Sequence, residues 1–140
     1  MLTTTRLDAA DARILIEGAA AKAREIGRPM NIAITCDDGH LIAFERMDGA
    51  KITSITIAID KAFTAAAARA ATHDIGAGCQ PGGPAWGLAN AVGGRLIVVG
   101  GGMPVVVDDV VVGGIGVSSG TPMQDREVAE AGLAAFFAAR

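Results

Sequence analysis

The stretch from Leu96 to Val117 constrains this chain more than any other. It is mostly valine and glycine, with branched side chains that suit a pleated, half-buried surface. Asp108 and Asp109 interrupt it, and an aspartate at a bilayer centre would cost about 3 kcal/mol. A membrane span is therefore not expected. The Gly100–Gly102 triplet and the Asp108-Asp109 pair instead divide it into three expected strands, 95–99, 103–107 and 110–117. Composition supports a folded domain: 51% of the 140 residues are apolar, which excludes a disordered polymer. Aromatics make up only 4%, with no tyrosine, so the core must use small aliphatic side chains. The 19 glycines must then serve the backbone, in turns and close approaches. Lys and Arg number 12 against 15 Asp and Glu, a net charge of −3. No cationic face for phosphates is expected, so nucleic acid is not an expected partner.

The rest of the chain supplies helices and a hairpin. Leu7, Ala10, Ile14, Gly18 and Ala21 recur at helical spacing. Thr5 and Asp8 have capping-box spacing, and Gly27 with Pro29 marks the stop. Residues 30–36 and 40–47 read as two strands around the turn Asp37-Asp38-Gly39. On the second strand, Phe44 is expected in the core and Arg46 near the end. Ser54 is placed to cap a helix over 55–72, with Ile55, Ile59, Ala62, Phe63, Ala66 and Ala70 as its apolar stripe. Residues 73–91 read as a long Gly- and Pro-rich loop, a common form of binding element. Thr121-Pro122-Met123-Gln124 is a capping box with proline at the first helical position. The expectation is one α+β domain over residues 1–140, with helices flanking about five antiparallel strands. No secretory signal is visible in the first ten residues, so a cytoplasmic location is the default.

The chemistry-bearing residues are few. Cys36 and Cys79 form no CxxC and the two histidines no HExxH, so no metal site is expected. Residues 114–119 approximate a dinucleotide-binding glycine motif, but with serine in the last glycine position and no following strand. Ser118-Ser119-Gly120-Thr121 leads into a helix N-terminus, which serves either as an anion site or as a plain cap. Arg46 and Lys61 suit a carboxylate ligand; equally, Asp48 or Asp60 can pair internally with Arg46. Trp86 is either a loop anchor or one wall of a pocket. His73 follows a helix, where a protonated imidazole favours the terminal carbonyls, and His40 opens a strand.

Five segments occur in register: Glu45-Arg46-Met47-Asp48-Gly49-Ala50; Asp60-Lys61-Ala62; Gly100-Gly101-Gly102-Met103-Pro104; Gly114-Ile115-Gly116-Val117-Ser118; and Asp125. Together they resemble the GlcG/HbpS-like haem-binding family, which includes the C-terminal domain of PduO-type cobalamin adenosyltransferases. The resemblance spans nearly the whole chain. It implies a profilin-like α+β fold that assembles into homo-oligomers, with haem as a possible cofactor. Phe63 stands where relatives commonly carry tyrosine, the N-terminal helix has no histidine, and Asp109 replaces a hairpin glycine. Haem iron takes His, Cys, Met or Tyr, which leaves His40 and His73 as the histidine candidates. Two functions follow as expectations. One is a small-ligand-binding module with Arg46, Asp48, Trp86, Gly101, Ser118 and Asp125 at its site. The other is an enzyme on a small organic acid, with Arg46 holding the carboxylate and Lys61 or Asp60 moving a proton.

Overall fold

The computed structural model describes all 140 residues. Helix α1 (Ala9–Glu25) buries Ala12, Leu15, Ile16, Ala19, Ala20 and Ala23. Its capping box uses Asp8 and Asp11, one turn later than the expected Thr5–Asp8 pair. The reason is local: the Leu7 N–H donates to the Val112 carbonyl at 3.0 Å, so the chain is still pinned to the sheet there. Strands β1 (Asn31–Cys36) and β2 (Leu41–Arg46) form the expected hairpin. Helix α2 spans Ser54–Ala68 and stops where Arg69 adopts a left-handed conformation. Ser54 is its first helical residue; Thr53 occupies the cap position and makes no side-chain cap. A short helix α3 (Thr72–Gly78) stands inside the expected loop, followed by an irregular arm with single 3-10 turns at Leu88–Asn90 and Val92–Gly94. Strands β3 (Gly102–Val107) and β4 (Val110–Ser118) and helix α4 (Pro122–Ala138) complete the chain. Thr121, Pro122 and Gln124 build the α4 cap as the sequence predicts.

The sheet has four strands, ordered β2-β1-β4-β3 and antiparallel throughout. The expected fifth strand, 95–99, does not pair with the sheet. Its polar groups go to threonine side chains instead. The Ile97 N–H donates to Thr64 Oγ1 at 3.0 Å. Thr64 Oγ1 also lies 3.1 Å from the Arg95 carbonyl, and Thr72 Oγ1 donates to the Val99 carbonyl at 2.6 Å. Gly101, at φ 124°, then turns the chain into β3.

Strand alternation separates two cores. Ile32, Ile34, Ile115 and Val117 join Leu15, Val128 and Phe136 in the larger one, under α1 and α4. Ala33 faces the other way, with Ala58 and Ala62 of α2 and the half-buried Phe44. The glycines of β4 explain that second contact. A Cβ on Gly114 or Gly116 would collide with the Ala62 or Ala58 carbonyl, so α2 lies directly on bare strand backbone. No helix is long and apolar enough to cross a membrane.

Candidate functional site

The β4–α4 junction and the N-terminal half of α2 enclose an open cleft of about 410 Å³. Ile57, Ile97, Val99 and Pro122 supply its apolar walls. Its polar lining comes from Lys51, Thr53, Ser54, Lys61, Ser118 and Asp125. Lys61 is 2% exposed, on a helix whose other buried residues are all small: Ser54, Ala58, Ala62, Thr64, Ala65 and Ala66. Its Nζ donates to the Val117 carbonyl and to Asp125 Oδ2, both at 2.9 Å. Asp125 is equally buried, and its Oδ1 accepts the Gly120 N–H at 2.9 Å. The acid sits in the first turn of α4, where the helix dipole favours negative charge. Burial pushes the Lys61 ammonium below its ordinary range, and Asp125 partly restores it. Gly101 makes the pair possible: a Cβ there would lie 2.8 Å from both Lys61 Nζ and the Asp125 Cβ.

Two hydroxyls line the same cleft. Ser54 is 4% exposed and Ser118 5%, and neither donates to or accepts from any group of the chain. They lie near the N-terminus of α2, whose first turn has no acidic residue and no side-chain cap. The Ser54 and Ile55 N–H groups already donate to the Lys51 and Ile52 carbonyls at 3.2 and 3.1 Å, so the terminus offers chiefly the positive end of the helix dipole. The approach to that turn is held in place. Asn31 Nδ2 donates to the Lys51 carbonyl at 2.9 Å, and the Lys51 N–H to Ser119 Oγ at 3.0 Å. The chemistry offered is acceptance of an anionic head group with a short apolar body.

Of the residues singled out from sequence, Lys61, Gly101, Ser118 and Asp125 come together here. Asp60 does not join them. One step along the helix, it turns away and pairs with Arg95 Nε at 3.0 Å. The Arg95 guanidinium also stacks 3.8 Å above the Phe63 ring. Arg46 is exposed at the end of β2 and pairs with neither Asp48 nor Asp60, the two internal partners considered for it. Asp48 is exposed on its loop, and Trp86 is 68% exposed on the arm; none of the three lines the cleft. His40 stands exposed on the hairpin turn, its Nδ1 3.0 Å from Asp38. The Cys36 thiol donates to the same carboxylate, and burial pushes that thiol up. His73 is half-buried with Nε2 3.5 Å from Asp74. Sequence reasoning read Ser54 only as a cap and did not weigh Lys51. Its available signal was the lone lysine of a mostly small and apolar helix, with Ser54 at the start of that helix and Ser118 at the end of β4.

Residues 7–134 of the domain that carries this cleft match the family model described as haem degrading protein HbpS-like. The chain belongs to the HbpS-like family. It is similar to the uncharacterized 15.0 kDa protein in the dhaT-dhaS intergenic region of Citrobacter freundii, with 39% identity over 91% of this chain and 89% of that one. Among solved structures, the Klebsiella pneumoniae protein ORFY superposes with a TM-score of 0.96 at 32% identity, covering 99% of this chain and 95% of that one. The PduOC:heme complex superposes with a TM-score of 0.90 at 31% identity, covering 94% and 95%. For this HbpS-like chain, the cleft itself does not fit haem iron. No His, Cys, Met or Tyr lines it, and its buried amine, Lys61, is held by a carboxylate. Both histidines lie outside it.

Proposed function

We propose that this HbpS-like domain binds a small organic acid in the cleft over Lys61 and does so as a homo-oligomer. The observation that carries the reading is the pair of hydroxyls, Ser54 and Ser118, that line the cleft with no hydrogen bond to the rest of the chain, beside a helix N-terminus with no side-chain cap. An anionic ligand seated in the cleft accepts from both, and each such hydrogen bond contributes about 1 kcal/mol. Arg46 has no place in this reading, because it lies outside the cleft; the helix terminus and the hydroxyls take over the carboxylate. Lys51 adds positive charge at the rim. NMR titration with propionate tests the proposal. Saturable shifts are expected at Ile57, Val99 and Ser118. Ser54→Ala with Ser118→Ala should weaken binding about tenfold, equivalent to roughly 1.4 kcal/mol. Absence of shifts with any short-chain acid would sink it.

A second reading is supported by the PduOC relative, whose solved structure is a haem complex. Haem would then lie against His73 or His40 at an edge of the domain, where a neighbouring copy completes the site. Titration with haemin should give a saturable Soret shift that His40→Ala and His73→Ala together abolish. A shift that survives both substitutions removes histidine ligation.

A further inference from the structure

The cleft holds a group that ligand binding alone does not use. We propose that Lys61 is a carbonyl-capturing lysine, forming a reversible imine with a short 2-oxo acid whose carboxylate occupies the Ser54–Ser118 end of the cleft. This deepens the organic-acid reading and rests on it. The geometry at Nζ is the first support. Of its four tetrahedral positions, one is the side-chain carbon and two are directed to the Val117 carbonyl and to Asp125. The fourth meets no polar atom of the chain. A neutral amine keeps both hydrogens in those two bonds and leaves its lone pair at that fourth position. The second support is placement. The carbonyl that anchors Nζ belongs to Val117, the residue before Ser118, and Lys61 and Ser118 both line the one cleft. A lysine side chain on a helix also leans toward the helix N-terminus, here toward the Ser54 end.

The third support is contrast with the other two lysines. Lys22 is half-buried on the surface of α1 and held protonated by Glu25 and Glu127 at 3.2 and 3.3 Å. Lys51 is exposed at the rim. Only Lys61 combines burial, which lowers its proton affinity, with a carboxylate able to carry the proton away. In the step, Nζ adds to the carbonyl carbon and a C–N bond forms. The nitrogen gives up its two protons in turn through Asp125, which passes each to the oxygen, the first to form the carbinolamine hydroxyl and the second to make that hydroxyl a water. That oxygen leaves as water as the C=N bond forms. No electrons are exchanged, and hydrolysis reverses the sequence.

Pyruvate with cyanoborohydride, followed by peptide mapping, tests this on the intact chain. One reduced pyruvate adduct is expected on Lys61, forming at least about tenfold faster than on Lys22 or Lys51 because the bound carboxylate holds the carbonyl in place. Excess propionate should suppress the Lys61 adduct and leave the other two unchanged. Lys61→Arg, which keeps the cation, should lose it. If propionate binds but Lys61 is modified no faster than Lys22, the imine is overturned while the binding site stands. If neither acid binds and no Lys61 adduct forms, both proposals fall. Mapping on the unaltered chain makes the result independent of whether any variant folds.

Discussion

Lys61 and Asp125 are opposite charges held together out of water, and their value to the fold is not simple attraction. Removing charges from water costs several kcal/mol per ion, which mutual attraction and good hydrogen bonds must offset. Breaking the pair is therefore worse than deleting it. Lys61→Met alone should destabilise the chain by about 3–5 kcal/mol, because Asp125 stays buried and unpaired. Lys61→Met together with Asp125→Leu should recover most of that loss, as read by urea unfolding. The pair also predicts a pH dependence. An unfolded Lys61 keeps its proton up to its ordinary 10.5, whereas in the folded chain burial releases it earlier. Between those two points the unfolded state binds more protons, so stability should rise with pH relative to Lys61→Arg. A wild-type advantage that shrinks over that alkaline window would contradict burial as the dominant effect. At this scale the sequence was partly legible. Asp60 and Lys61 stood out as charges beside an apolar stripe, but only helix rotation sends one to Arg95 and the other into the cleft.

At the scale of elements, α2 on β4 is the contact that positions the site. It depends on missing side chains: a methyl group at Gly116 would run into the Ala58 carbonyl and the Ala62 N–H. Gly116→Ala should cost about 3 kcal/mol, since neither the helix backbone nor the central strand can yield easily. A thermal unfolding temperature within error of the unaltered chain would show that α2 is free to lift. The same element shows where pattern reading stopped. Residues 95–99 have strand composition, yet their N–H and C=O groups bond to Thr64 and Thr72 rather than to a neighbouring strand. Composition reports what a segment tolerates, whereas pairing depends on which edge is free. Capping at α4 was legible because Thr121, Pro122 and Gln124 act within four residues of one another.

The whole molecule leaves an uneven surface. Ile52, Trp86, Val92, Val99 and Met123 are exposed, several of them on or near the arm that follows α3. Large apolar side chains left in water commonly mark association surfaces. Sedimentation velocity should show a species larger than the monomer, and Trp86→Ser with Val92→Ser should shift it toward the monomer. A pure monomer at all accessible concentrations would remove self-association from the proposed function. By itself the sequence determined the family, the α+β class, the hairpin, the last helix and the glycine-permitted closeness of backbone. These follow from local propensities and from motifs kept in register. Only the tertiary structure decided that four strands pair rather than five. It also decided that Lys61 meets Asp125 across 64 positions of chain, and that Arg46 and Trp86 stand apart from them. Such choices depend on which polar groups find partners once the chain is packed, and that balance is set by the assembled fold rather than by any short segment.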